Sequence, residues 1–229
     1  MIKTILWDVD GTLLNFSKSE KFCILRCLEE IGFYDCDDEM ISRYAKINTS
    51  YWEALERGEL TKQEVLVGRF RTFFRQEEIP CSDVEAFNLS YQKKLGEVYF
   101  ENDDARNLCK NLQGKVKQYV VTNGTALAQR KKLENSSLGD YMDGVFISDE
   151  IGVEKPGIGF FDHVFRVLGP VDRREVMIVG DSLTSDMKGG NVAGILCCWY
   201  NPQKKENRSE VRIDYEIQNL WDVLPILGL

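Results

Sequence analysis

The stretch ILWDVDGTLLN (residues 5–15) puts Asp8 and Asp10 at the end of an apolar run and then breaks into a turn at Gly11. A short apolar run closed by turn residues reads as a buried strand. Burial makes negative charge expensive, so two carboxylates at the end of such a strand need a reason. Side chains two positions apart on a strand point the same way only if the pleat continues unbroken. The turn that begins at Asp10 therefore decides where its carboxyl goes, and Gly11 allows that turn to be sharp.

The same strand pattern returns later in the chain. VKQYVVTNG (116–124), GVFISDEI (144–151), EVMIVGD (175–181) and ILCCWYN (195–201) are short, rich in β-branched or aromatic residues, and separated by helix-like segments such as TALAQRKKLENSSL. Alternating strand and helix predicts an α/β fold, a Rossmann-like parallel sheet covered on both faces. Between residues 16 and 100 the period changes to 3.6 with no convincing strand, which predicts an inserted helical bundle acting as a cap. Helix stops at Gly58 and Pro80 divide it, and Thr61 and Ser82 read as N-caps of the next helices. The expected division is a core of residues 1–15 and 101–229 and a cap of residues 16–100. NPQKKENRSE (201–210) reads as a polar loop.

Composition restricts the function. The 229 residues are 43% hydrophobic and 29% charged, which suits a folded globular protein, and the net charge is −8. That balance argues against tracking nucleic-acid polymers or anionic membranes. Seven cysteines form no CxxC pair and no metal-ligand spacing, so they read as small buried hydrophobes in a reducing compartment. MIKTILW is too short for a signal-peptide core, and no apolar run reaches membrane-spanning length. The expectation is a cytoplasmic protein, a monomer or weak homodimer.

Ligands of open parallel sheets bind at the carboxyl ends of the strands. There the sequence puts Asp8 and Asp10, then Thr122 with Asn123 and Gly124, then Lys155, then Asp181. Three converging acids would repel one another unless a cation sat among them, and their hard oxygens suit Mg²⁺. With a metal ion, Lys155 and the backbone N–H groups around Asn123 and Gly124, the site becomes locally cationic and suited to a phosphate.

These motifs resemble those of the haloacid-dehalogenase-like (HAD) phosphatases. DVDGTLL is similar to the family's nucleophile motif, VVTNG to its hydroxyl motif, EKPG to its lysine motif and GDSLTSD to its acidic metal motif, all in the family's order. NTSYWEALERGELTKQEVLVGRF, RKKLENSSLGDYMDGVFISDEIGVEKP and GDSLTSDMKGGNVAGILCCWYN resemble the YjjG-type branch of pyrimidine 5'-nucleotidases. The resemblance implies a Mg²⁺-dependent phosphomonoester hydrolase with Asp8 as nucleophile and Asp10 as acid and base. Thr122 and Lys155 would hold the phosphoryl group. Asp8, the Asp10 carbonyl and Asp181 would bind the metal, with Asp186 behind them. In the cap, Asn48, Trp52 and Arg69, with Phe70, are candidates for contacting a nucleotide base.

Simpler readings stand beside these. Asn-Gly is a turn signal, an isolated lysine is usually a surface lysine, and aromatic stripes at helical spacing usually pack a core. His163 reads as a packed histidine, which leaves no Ser-His-Asp triad. A phosphatase for sugar phosphates or other small metabolites, or a phosphomutase, would use the same core. A dehalogenase would not need an acid at Asp10, and a non-enzymatic phospho-accepting switch would not need the helical insert.

Overall fold

The computed structural model describes residues 1–229. Six strands, β1 (Thr4–Trp7), β2 (Lys117–Thr122), β3 (Gly144–Ile147), β4 (Val176–Gly180), β5 (Leu196–Tyr200) and β6 (Tyr215–Ile217), form one parallel sheet in the order β3-β2-β1-β4-β5-β6. Ten α-helices accompany them: α1 (Phe16–Glu30), α2 (Asp38–Glu56), α3 (Lys62–Gln76), α4 (Val84–Glu97), α5 (Ala105–Leu112), α6 (Ala126–Asn135), α7 (Ser148–Ile151), α8 (Ile158–Leu168), α9 (Lys188–Ala193) and α10 (Val223–Leu227).

β1 holds the centre because it is apolar on both sides. Ile5 and Trp7 enter a core shared with Leu108 and Leu112 of α5 and Val223 and Leu227 of α10. Leu6 enters the opposite core with Phe161 and Val164 of α8 and Met187. Its neighbours fix the register: Leu6 lies beside Tyr119 of β2 and Ile178 of β4. The strand order reverses at β1, and a crevice opens where connections leave toward opposite sides of the sheet. That crevice lies at the carboxyl end of β1, where Asp8 follows directly.

A third core belongs to the helical cap. Cys23, Cys27 and Leu28 of α1, Tyr44 of α2, Phe70, Phe73 and Phe74 of α3, and Phe87 and Tyr91 of α4 pack together. Tyr44 stacks on Phe70 with ring centroids 5.5 Å apart, and Phe87 meets Phe70 edge-on at 5.0 Å. Ala128 of α6 joins this cluster, so a helix of the α/β core also supports the cap.

Most local signals act as their residue types predict. Asn15 caps α1 and Asp37 caps α2, each accepting a backbone N–H with its side chain. Thr61 and Glu64 form a reciprocal capping box on α3. Three elements differ from expectation. Asp83, not Ser82, caps α4, its carboxylate accepting the Ala86 N–H at 2.8 Å. GVFISDEI does not continue as a strand: β3 stops at Ile147, and Ser148–Ile151 winds into α7, ended by Gly152 at φ 81°. Beyond the polar loop, β6 adds an edge strand of only three residues, too short and too exposed for periodicity to reveal. No helix is long and apolar enough to cross a membrane.

Candidate active site

Lys155 organises the mouth of the crevice. It is 1% exposed, and its ammonium donates to Asp8 Oδ1 at 2.8 Å, Asp186 Oδ1 at 2.6 Å and the Val121 carbonyl at 2.7 Å. Three donors thus meet three acceptors, which satisfies a buried charge that would otherwise be costly. Burial lowers the lysine's pKa, but Asp186 and Asp8 more than offset this, so it is raised and Lys155 stays charged. The loop behind it is braced by Asn123, whose Oδ1 accepts the Lys155 N–H and whose Nδ2 donates to the Lys155 carbonyl, both at 2.8 Å. The Asn123 side chain therefore holds Lys155, and the residue also lines the cavity.

Asp8, Asp181 and Asp186 bring carboxylate oxygens within 4.8 Å of one another. Burial, then the charges of Asp186 and Asp181, raise the Asp8 pKa well above its ordinary value against the pull of Lys155. Burial and Asp186 push Asp181 up to about 7. One ammonium does not balance three clustered acids, two of them buried, and a divalent cation among them would. The backbone has been cleared for this cluster: a Cβ on Gly11, where φ is +95°, would stand 2.5 Å from Asp181 Oδ2, and one on Gly180 would stand 2.3 Å from the Asp186 side chain. Hard oxygen donors, excess negative charge and glycine-lined approach fit a Mg²⁺ ion. Asp186 hydrogen-bonds Lys155 and, through Oδ2, accepts the Ser182 N–H at 3.2 Å. It sits on a π-helical turn, Leu183–Met187, a distortion common at functional sites.

The turn after β1 acts as the sequence required. Gly11 bends the chain, and both Asp8 and Asp10 line one cavity of about 460 Å³. Asp10 is held by two residues of α6: Gln129 Nε2 donates to Oδ2 at 2.6 Å, and the Lys132 ammonium bonds Oδ1. Neither residue belongs to the four catalytic motifs, although Lys132 lies in the stretch RKKLENSSL that resembles the YjjG-type branch. Their spacing of three places both on one helical face directly after the TNG turn, which is the only other signal they carry. Thr122, at the end of β2, accepts the Gly124 N–H at 3.2 Å, which leaves its own hydroxyl proton free to donate.

The cap supplies the far wall. Asn48, Trp52, Glu56 and Arg69 line the cavity opposite the acids, with Gln92 beside them. Asn48 Nδ2 donates to Glu20 Oε1 at 2.7 Å, and Arg69 Nη1 donates to Asn48 Oδ1 at 2.7 Å, forming a buried polar chain. Burial pushes Glu20 up to about 7, opposed by Arg69. Arg69 Nε is buried without a partner. Phe70, expected with these residues, is fully buried among Tyr44, Phe74, Phe87 and Tyr91 and belongs to the cap's core. His163 is half-buried, edge-on to Phe146, and lies outside the cavity.

Cap and core touch around the rim. Lys62 donates to Ser148 Oγ at 2.8 Å and lies 3.3 Å from Glu154, Thr184 bonds Glu56, and Thr125 donates to Gln92 at 2.8 Å.

A parallel sheet with its acids at the switch point, closed by a helical cap, defines a class, and sequence comparison agrees with it. The model of the haloacid dehalogenase-like hydrolases matches residues 2–194. The chain is 35% identical to the HAD-hydrolase YfnB of Bacillus subtilis, covering 99% of this chain and 96% of that one. The magnesium-bound crystal structure of YfnB, which reveals interdomain movement, superposes with a TM-score of 0.93 at 34% identity, covering 100% of this chain and 99% of that one. Identity is 31% to the pyrimidine 5'-nucleotidase PynA of Streptococcus pneumoniae, over 98% of this chain and 94% of PynA. It is 27% to the pyrimidine 5'-nucleotidase YjjG of Escherichia coli, over 97% and 96%. The chain belongs to the haloacid dehalogenase-like hydrolases. Within that family it is a phosphatase.

Proposed function

We propose that this phosphatase hydrolyses pyrimidine nucleoside 5'-monophosphates through a phosphoryl group carried on Asp8, with Mg²⁺ bound by Asp8, the Asp10 backbone carbonyl and Asp181, and Asp186 supporting them. The observation that carries this reading is the opposition of two walls across one cavity, a lysine-paired Asp8 on the core side and Asn48, Trp52 and Arg69 on the cap side. Similarity to PynA and YjjG supports the nucleotide assignment. A cavity of about 460 Å³ has room for a ligand of nucleotide size.

In the first half-reaction an Asp8 carboxylate oxygen attacks phosphorus, the bond from phosphorus to the ester oxygen breaks, and Asp10 gives its proton to the departing alkoxide. In the second, Asp10 takes a proton from water as the water oxygen attacks phosphorus. The bond to Asp8 then breaks and inorganic phosphate leaves. Lys155 offsets charge on Asp8 and on the transferring oxygens, and the Thr122 hydroxyl donates to one of them. Bound Mg²⁺ neutralises charge on the acids and the phosphoryl group. The Gly124 N–H already bonds Thr122, so Gly124 contributes to the phosphate site through that hydroxyl. In this reading residues 16–100 form the cap and residues 1–15 and 101–229 the core. The enzyme works in the cytoplasm on small phosphorylated metabolites, as a monomer or weak homodimer.

The test is phosphate release from a panel of nucleoside 5'-monophosphates, sugar phosphates and p-nitrophenyl phosphate, with Mg²⁺ and with excess EDTA. Preferred turnover of pyrimidine nucleotides, abolished by chelation and restored by Mg²⁺, is expected. Preference for sugar phosphates would remove the nucleotide assignment and leave the phosphatase. Undiminished turnover in EDTA would remove the metal. Asp181→Asn should weaken Mg²⁺ affinity, raising the Mg²⁺ concentration needed for half-maximal rate.

A further inference from the structure

Lys132 is among the least explained residues of the fold. It is 1% exposed, and the one carboxylate that pairs with its ammonium is Asp10. The ring of Phe16 lies 5.9 Å from the same nitrogen and closes off one side of it. A turn earlier on α6, Gln129 is equally buried and turns its amide nitrogen toward Asp10 Oδ2 at 2.6 Å, although this leaves its own Oε1 buried without a partner. A side chain placed for stability alone would not give up that acceptor. Space has been cleared for it as well, since a Cβ on Gly124 would stand 2.2 Å from Gln129 Nε2.

We infer that Gln129 and Lys132 are positioning residues for the acid–base step. Together they take one lone pair on each Asp10 oxygen and fix the plane of its carboxyl group, leaving its remaining lone pairs toward the cavity that Asp10 lines. Asp10 lies beyond the end of β1, on a turn whose backbone alone does not orient its side chain. The helix α6 does that from outside the four sequence motifs. The inference rests on the assignment of Asp10 as acid and base given above.

In the first half-reaction a misplaced Asp10 matters in proportion to how badly the leaving group needs a proton. An alkoxide such as the 5'-oxygen of a nucleoside needs one, and p-nitrophenolate needs little. Lys132→Met and Gln129→Leu should therefore each lower kcat for a nucleoside 5'-monophosphate by roughly 10- to 100-fold while changing the first-turnover release of p-nitrophenolate by no more than about threefold, since with that ester only the later hydrolysis of the Asp8 phosphoryl group uses Asp10. KM for the nucleotide should stay within about twofold, because neither residue would bind it. Lys132→Arg, which keeps a cationic donor, should recover most of the lost rate.

Gln129→Leu removes one hydrogen bond and no charge, so it decides the matter if Lys132→Met does not fold. Equal losses in the first-turnover release of nucleoside and of p-nitrophenolate, accompanied by a lowered Tm, would overturn the inference in favour of simple packing. Unchanged kcat on the nucleotide would overturn it outright. Hydrolysis of both esters by the wild-type enzyme, and its loss in Asp8→Asn, tests the proposed reaction separately.

Discussion

The core mouth and the cap wall both bury polar side chains, yet they satisfy them differently. At the core, Lys155 meets three acceptors, Asn123 bonds the Lys155 backbone twice, and Asp186 bonds both Lys155 and a backbone N–H. In the cap, the chain from Glu20 through Asn48 to Arg69 ends with Arg69 Nε buried and unpartnered. A fully bonded lysine and its acids are rigid and suit a step that must place charge accurately, whereas an open donor beside the cavity suits recognition of a ligand that completes it. On the proposed function, the core carries the chemistry and the cap the selection.

The largest effect that separates the two regions should come from Lys155→Met. It leaves Asp8 and Asp186 buried without their cation, so activity should vanish toward every substrate and folding stability should fall by about 3–5 kcal/mol. Denaturant titration beside an activity assay checks both. Retained activity on p-nitrophenyl phosphate would break the contrast, because the core would then tolerate the same loss as the cap.

A smaller and more selective effect is expected in the cap. A stacked base contributes about 1–3 kcal/mol, so Trp52→Ala should lower kcat/KM for a pyrimidine 5'-monophosphate by roughly 10- to 100-fold and leave p-nitrophenyl phosphate nearly unchanged. Phe70→Ala, in the cap's aromatic core, should instead cost about 3–5 kcal/mol of stability and affect both substrates alike. Adjacent residues on α3, one lining the cavity and one buried, make this a direct comparison: Arg69 belongs with Trp52 and Phe70 does not.

The smallest effect concerns pH. Burial raises Glu20 from 4.5 to about 7, so across that interval the folded protein holds a proton that the unfolded chain has lost. Stability contributed at low pH is therefore lost as pH rises through the folded-state value, by at most about 3 kcal/mol from this group. Glu20→Gln should flatten the stability curve between about pH 4.5 and pH 7 as measured by urea unfolding. An unchanged curve would show that the cap tolerates its buried acid as well as the core tolerates its own.

The two regions also differ in how far their sequence can be read. Asp8, Thr122 and Asp181 each end or directly follow a buried strand, and Lys155 follows one by a short helix, so strand patterns alone bring them to one edge of the sheet. Hydrophobic period likewise separates the sheet from the helical insert. Gln129 and Lys132 lie in a polar helix and share its buried face with Ala128 and Leu133, beside which they read as ordinary surface residues, and Glu20 occurs in a run of charged and apolar residues that reads as an ordinary amphipathic surface. Their burial depends on what packs against them. Phe70 shows the reverse failure: helical spacing puts it beside Arg69, but a one-residue step rotates the side chain by about 100° and turns it into the core. The change from β3 to α7 at Ser148 is hidden because Ser-Asp-Glu-Ile carries no break of its own.

The central claim is that Asp8 carries the phosphoryl group during turnover. Rapid acid quench of the wild-type enzyme with substrate and Mg²⁺, followed by mass spectrometry of its peptides, tests it most directly. A phosphoryl adduct on the peptide containing Asp8, absent from Asp8→Asn together with a fall in turnover of roughly a thousandfold or more, is the predicted result. Turnover by Asp8→Asn equal to that of the wild type, or an adduct on any other residue, would contradict the account.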